Sequence, residues 1–497
     1  RYWNWCISGN GIEVIIIMSK FQSNTDFRLK SVRIYPQGKD KPLEIKQLVN
    51  AVNYVEDITS PFISATMEVV DSAGLLQGMP IQGGEKVLVA VETSIRDEAF
   101  EYSFVVWKIG NRYTRQKQQS YTIGLISEEA LVNEGTRILT RQEGNPEKIV
   151  KNLVSKSLKS SKEFFSEPSM FKVKMLPNRR RPFDIISTLA IKAVSTKGTW
   201  NKKKKNKGLF GGIFSGNDET NEEIRGSSGF FFWESRRGYN FFSVDALCDE
   251  KDGTFSAPRL KAESWGGYVE KMGNTDSGSD DRFTIYESVF DSEIDLMSSL
   301  RKGKYASKIV FFNHSTGQYE EYTYKIGSSY DNMAHLGGQE SVSLIPVNQS
   351  ELSDQHSRVM SMMLDHETWY NEPNIASIET KDGATKPTEF ADWQKFYAAQ
   401  SLARYQLLKN QQCTIVIPGN AEICAGDKID VRIINKSPDA KAKNEPYDKE
   451  SSGLYLIQEA THTYDRVEGT NGRFLTTLRL MRDSYGMKGS DSAHGTK

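Results

Sequence analysis

Along most of this chain the apolar positions recur every second residue. Arg28–Tyr35, Val49–Val55 and Pro61–Val70 alternate in this way, the last through Ile63, Ala65, Met67 and Val69. Lys428–Ile434 sets Ile429, Val431 and Ile433 against Asp430 and Arg432, and Gly453–Tyr464 and Phe474–Met481 continue the pattern on either side of a turn at Asp465–Arg473. Period two is the signature of a strand with one buried face. Turns separate these strands. Pro418–Gly419–Asn420 combines a proline-set φ with residues that tolerate positive φ, and Ala425–Gly426–Asp427 is a second tight turn in which Gly426 is expected at positive φ. Closed antiparallel β is the reading.

The pattern occurs twice. Gly83–Gly84–Glu85–Lys86–Val87 parallels Gly426–Asp427–Lys428–Ile429: a glycine turn, an acid, a lysine, then an alternating strand. Phe104–Arg115 lies over Leu454–Arg466 in this match, and Ser120–Ile126 over Arg473–Leu480. Three features in one order at similar spacing point to a duplicated unit, with Gly84 on Gly426 and Lys86 on Lys428. The expected organisation is mainly β with α+β insertions. A first barrel covers residues 22–140, and a second is assembled from 259–327 and 405–485.

Between the copies the period changes. Asn145–Pro146 opens a helix whose apolar face is Ile149, Val150, Leu153, Val154 and Leu158, with Asn145 as its N-cap. A second helix follows Arg181–Pro182 and turns Phe183, Ile186, Leu189, Ala190 and Ala193 inward. Gly229–Ser235 and Asn240–Leu247 flank a hairpin turn at Arg236–Arg–Gly238. These make an α+β domain over 141–258. It is interrupted at 200–226 by a loop that runs from basic through glycine-rich to acidic and reads as a solvated insertion. Asn274–Asp281 has acids but lacks the glycine and glutamate spacing of a calcium loop, and reads as a linker. Glu287–Leu300 is amphipathic, and Lys304–Phe312 pairs with Glu320–Ile326. An inserted domain over 328–404 ends in a helix over 389–408. Its acids stand at the start, Arg404 and Lys409 at the end, and Phe390, Trp393, Phe396, Ala399, Ala403 and Leu407 along one stripe. His335, His356 and His366 have no acids at ligand spacing and read as surface or loop residues.

Composition narrows the function classes. The 64 basic and 64 acidic residues cancel, which argues against nucleic acid or an acidic membrane as the main partner. Cys6, Cys248, Cys413 and Cys424 are scattered, as in a reducing compartment, although Cys413 and Cys424 could face each other across a hairpin centred at Pro418–Gly419. No apolar run approaches the roughly 20 residues that span a bilayer. Residues 1–17 read either as part of a fragment or as an extension upstream of a start at Met18, and residues 1–21 are expected outside the fold, as is a flexible tail over 486–497. The chain contains no G-x-S-x-G, H-E-x-x-H, C-x-x-C or phosphate-loop pattern. No catalytic, cofactor-binding or metal-binding residue is therefore assigned. The residues singled out are the structural turns Gly83, Gly84, Pro418, Gly419 and Gly426.

The order of these features resembles the central baseplate hub protein of contractile-tailed, T-even-like bacteriophages. Four places carry the resemblance: Pro61–Asp71 with Leu75–Val89; Arg181–Ala190 with Gly229–Glu234 and Phe242–Leu247; the helix ending at Leu408; and the sheet from Ile417 to Leu480. Residues 200–226 and 440–450 look like insertions relative to that family. The resemblance implies two barrels like the tail-tube subunit and a homotrimer at the end of the tube. The implied partners are the tail tube protein, the central spike protein and neighbouring baseplate wedge proteins, in a virion assembled in the host cytoplasm. Six similar barrels from three chains would let a sixfold tube meet a threefold spike. Two other readings remain open at this stage. A spike or effector carrier of a contractile secretion system would be expected to continue into an OB-type barrel and β-helix. A tail-associated cell-wall hydrolase would degrade peptidoglycan.

Overall fold

The computed structural model describes residues 21–487 apart from interruptions of at most five residues and the longer stretches 197–227, 250–266, 271–280, 339–345, 365–370, 374–389 and 439–445. The leader, the 200–226 loop, His366 and nearly all of 274–281 lie outside the described residues. The fold is mainly β, as the alternation predicts. The first barrel consists of β1 (Phe27–Tyr35), β2 (Val49–Asp57), β3 (Ser64–Asp71), β4 (Lys86–Thr93), β5 (Arg96–Arg115) and β6 (Gln118–Ile126), hydrogen-bonded in the order β1-β4-β5-β6-β3-β2. Leu43–Glu44 pairs with β1, and the turn Lys46–Leu48 runs straight into β2, closing the gap between the two end strands. Ile63, Ala65, Met67 and Val69 are buried inside, as their spacing requires. Ile63, Met67 and Val69 each contribute roughly 1.5–3 kcal/mol on leaving water.

The α+β domain follows. It contains α1 (Glu128–Gly135), β7 (Gln142–Gly144), α2 (Pro146–Asn152), β8 (Phe164–Ser166), β9 (Phe171–Met175) and α3 (Pro182–Lys192), then the hairpin β10 (Phe230–Ser235) and β11 (Gly238–Ser243), and α4 (Val244–Cys248). Both predicted apolar helix faces are buried in one cluster. Pro146 stands at the first position of α2, but the Asn145 side chain does not cap the helix. It donates to the Ser169 carbonyl at 3.1 Å instead, tying the helix start to a distant loop.

The second barrel closes as a complete ring. Its strands are β12 (Tyr268–Glu270), β13 (Thr284–Ile285), which continues into β14 (Glu287–Ser292), then β18 (Gln411–Pro418), β19 (Lys428–Arg432), β20 (Gly453–Asp465) and β21 (Arg473–Arg482). Pairing runs β12-β19-β20-β21-β18-β14, and β13 returns to β12. Two expectations are corrected. The ring is not wholly antiparallel, because β12 runs parallel to both its neighbours. The stretch 306–325 is outside the ring. Ala306–Asn313 (β15) and Gln318–Lys325 (β16) do form the expected hairpin, but they join β17 (Arg358–Leu364) in a separate sheet packed on α6 (Phe390–Leu407). Alternation sets each strand's buried face but not which sheet buries it. The amphipathic 287–300 stretch likewise divides, into β14 and α5 (Leu296–Lys302).

The internal repeat is visible in the backbone. Gly84 N–H donates to the Val106 carbonyl at 2.7 Å and Val106 N–H to that of Glu85 at 2.9 Å; Gly426 N–H donates to Ile457 at 2.9 Å and Ile457 N–H to Asp427 at 2.9 Å. Glu85 and Asp427 each fold back to accept amide hydrogens of their own turn, from Gln82 and Gly83 in one copy and from Cys424 in the other. Both copies also carry a bulge just beyond, at Trp107 and at Gln458. The sequence match is one residue out here. Val87 faces Phe104 and Ile429 faces Tyr455, so Phe104 corresponds to Tyr455, not Leu454. A one-residue slip would turn the buried tyrosine outward, and burial forbids it.

Gly84 and Gly426 have φ of 86° and 87°, but their surroundings differ. A Cβ on Gly84 meets nothing nearer than the Gln37 side chain at 3.7 Å, whereas one on Gly426 falls 2.4 Å from Trp233. Gly84→Ala is expected to cost only the left-handed backbone strain, about 1–2 kcal/mol. Gly426→Ala should cost roughly 1–3 kcal/mol more, from the displaced indole. Urea denaturation of the two variants compares them. Equal losses would show that Trp233 yields freely.

Candidate assembly site

The two barrels of one chain meet edge to edge. Residues Ala51–Asp57 of β2 pair antiparallel with Asp465–Glu459 of β20, so one sheet passes from barrel to barrel. Aromatic side chains fill the seam. Tyr54 lies 4.6 Å from Tyr102 and 5.7 Å from His462 between ring centres; Tyr464 stacks on Phe474 at 4.4 Å and meets Phe27 at 5.4 Å. The Tyr102 and Tyr464 hydroxyls are hydrogen-bonded at 2.9 Å, one from each barrel. Such ring pairs add about 0.5–1.5 kcal/mol each beyond their burial.

A buried carboxylate sits at the end of the seam. One oxygen of Glu56 accepts from the Tyr54 hydroxyl and from Arg236 N–H, both at 2.6 Å, and the other accepts from Ala425 N–H at 2.9 Å. Burial raises its pKa, against the lowering pull of these donors and of the Arg236 charge. Glu56 therefore holds together barrel one, barrel two and the β10–β11 hairpin tip. Arg237, at the same tip, makes a two-pronged pair with Asp427 at 2.8 and 2.7 Å, while Trp233 donates from Nε1 to the Ala425 carbonyl at 3.0 Å. The acid that closes the Gly426 turn is thus also the anchor of the α+β domain.

His462 is fully enclosed at the seam. Its Nε2 lies 3.2 Å from the Ile423 carbonyl, which can only accept, so that nitrogen carries the proton; Nδ1 then accepts from Thr476 at 3.0 Å. Burial pushes its pKa down to about 4.

A second buried cluster fastens α6. The Arg404 guanidinium is completely buried, with Nε 3.0 Å from Asp245 and a terminal nitrogen 2.7 Å from Asp483, and it also donates to the Ala334 carbonyl. Asp483 also receives Leu336 N–H at 2.9 Å and His335 at 2.8 Å. Burial alone would raise the Asp483 pKa, but Arg404 and His335 hold it well below the usual carboxylate range. The cluster joins α4, α6, the 334–336 loop and the end of β21.

Placed on this geometry, the turn residues separate. Gly426 lies against Trp233 at the junction, while Gly83 (φ 103°) and Gly84 turn the first barrel away from it. Pro418 ends β18. Gly419 does not adopt positive φ, nor does Asn420; glycine is needed because a Cβ would lie 2.0 Å from the Phe474 ring. No hairpin returns after Gly419, so Cys413 and Cys424 do not face each other, and both are free and buried. Arg404, placed at the helix end by the sequence, is a buried core ion. His335 is partnered through Asp483, 148 residues away. The sequence reading also missed Glu56, Arg236 and Arg237. The arginine pair at a hairpin tip was their one local signal. Among the described residues no group of three or more His, Cys, Asp or Glu is placed to hold a metal, and no helix is long and apolar enough to cross a membrane.

Replacing Arg404 by methionine leaves Asp483 and Asp245 buried without their cation, and is expected to lower stability by about 3–5 kcal/mol in chemical denaturation. Wild-type stability would rule out the buried charge pairing. His462 gives a pH signature. Its folded pKa lies below the unfolded value of 6.5, so its contribution is complete above pH 6.5 and declines as pH falls toward 4. At about 1.4 kcal/mol per unit, wild type should lose roughly 3 kcal/mol relative to His462→Gln over that window. Parallel stability curves for the two proteins would contradict a neutral buried imidazole.

No family model matches the chain, and no curated protein matches it. Several solved structures resemble it. A tail protein from Neisseria meningitidis MC58 is 11% identical, with 92% of this chain and 97% of that one covered and a TM-score of 0.47. The 43 kDa tail protein of prophage MuSo2 from Shewanella oneidensis is 8% identical over 91% and 98%, with a TM-score of 0.46. Prophage tail protein gp18 from Listeria monocytogenes EGD-e is 10% identical over 90% and 94%, with a TM-score of 0.42.

Proposed function

We propose that this chain is a structural subunit of a contractile phage tail baseplate, acting as its central hub. Three copies form a ring of six similar barrels that joins a sixfold tail tube to a threefold spike. The observation that carries this reading is the repeat itself. Two barrels in one chain share turn, acid, bulge and strand order, and they are joined by strand pairing along their edges. A chain built so supplies two near-equivalent units to a ring, and three chains supply six. In this reading the protein works by geometry and has no catalysis of its own. Its partners are further copies of itself, the tube subunit above, the spike below and wedge proteins around it, in a virion put together in the host cytoplasm.

The purified protein, alone or with its spike, is expected to show a trimer mass in light scattering, with an obligate-type interface burying roughly 2,000 Å² or more between neighbours. Cryo-microscopy of the tail should place it between tube and spike. A chain that stays monomeric with both tube and spike present overturns the proposal.

A further inference from the structure

The repeat predicts how copies join. Within one chain, the outer edge of β2 is taken by the second half of β20. Each of these strands has an equivalent in the other barrel. Leu125 pairs with Ala65 and Leu480 with Cys413, all four facing a core, so β6 corresponds to β21 and β3 to β18. On that register β2 corresponds to β14, because Val52 faces Met67 as Ser288 faces Ile415. The second half of β5 corresponds to the second half of β20, because Lys108 faces Gly124 as Glu459 faces Arg479, and Arg115 faces Gln118 as Asp465 faces Arg473. Neither equivalent is used. Among the described residues β14 pairs only with β18 along Glu287–Ser292, and Lys108–Arg115 pairs only with β6. Among the described residues the chain therefore shows one filled junction and the two unfilled halves of another.

Both open edges have features of a covered surface. Trp107 and Tyr113 on β5 are 53% and 62% exposed, and Val289 on β14 is 48% exposed. Their charges are opposite. Lys108, Arg112 and Arg115 stand on β5, and Glu287 and Asp291 on β14. An open strand edge with exposed apolar side chains is an aggregation hazard unless something pairs with it.

We propose that residues 110–115 of one copy pair antiparallel with β14 of the next copy, in the register of the internal β2–β20 junction. The register is transferred from the Arg115 end of β5, because a second bulge between Gly110 and Tyr113 has no counterpart in β20. Thr463 faces Asn53, so Tyr113 lies opposite Val289; Asp465 faces Ala51, so Arg115 lies opposite Glu287. An exposed aromatic meets an exposed β-branched residue, and a cation meets an anion, both favourable cross-strand pairs. The contact is head-to-tail and closes into a ring, leaving no open edge at either strand. This proposal specifies the self-contact within the hub reading and rests on it.

The test uses the full-length chain with Tyr113→Cys and Val289→Cys together, mildly oxidised and run on a non-reducing gel. Cys248, Cys413 and Cys424 are buried, and the two single variants control for every native thiol. Covalent dimers and trimers are expected from the double variant alone. In parallel, Arg115→Glu and Glu287→Arg should each reduce the assembled fraction at least fivefold at a fixed concentration, and the two together should restore it. Either the specific crosslink or the charge-swap rescue supports the register, which also covers a cysteine variant that fails to fold. A trimeric protein with neither crosslink nor rescue overturns this junction and leaves the hub reading standing. A protein that is monomeric with tube and spike present removes both.

Discussion

Seven residues of β2 lie against seven of β20, and through them a single hydrogen-bonded sheet runs out of one barrel and into the other. Everything else is arranged around that continuity. A barrel normally hides its strand edges by closing on itself. Here, among the described residues, the first barrel's end strands β1 and β2 do not pair with each other, and β5 and β20 each extend past a bulge. Beyond the bulge at Gln458, the second half of β20 pairs with β21 on one side and with β2 of the other barrel on its other side.

Buried charges hold the joined barrels to the rest of the chain. Glu56, Asp427 and Arg237 meet where the barrels and the hairpin tip converge, and Arg404 joins Asp245 and Asp483 where α6 meets the second barrel. Taking such groups out of water costs several kcal/mol per ion, so well-packed apolar residues could match them in stability. What they add is selectivity of arrangement. Glu56 is satisfied only if three separate segments arrive together, and any other docking leaves a buried charge without partners.

The two copies have diverged where their tasks differ. Both keep the glycine turn and its acid. Only the second turn is covered by Trp233, because only the second copy docks the α+β hairpin. The strand beside the turn is antiparallel in the first barrel and parallel in the second, where the chain enters from a different domain. Strand order and core positions survive that change, because they depend on which faces are buried and not on chain direction.

Much of this was legible in the sequence. Period-two alternation located the barrel strands except β12, β13 and β14, since a half-buried strand must show it, and the Gly–acid–Lys–apolar repeat revealed the duplication. Gly426 announced its positive φ because few other residues tolerate it. Contacts made at long range had no such signal. Nothing near Glu56 in sequence foretells donors at Arg236 and Ala425, and Arg404 sits where helix-end cations usually meet water. His335 and Asp483 are 148 residues apart. The alternation of Ala306–Lys325 fits any sheet, so its assignment away from the second barrel came from packing against α6. Local periodicity determines which face of an element is buried; only the folded chain decides what buries it, because that depends on which distant surfaces arrive together.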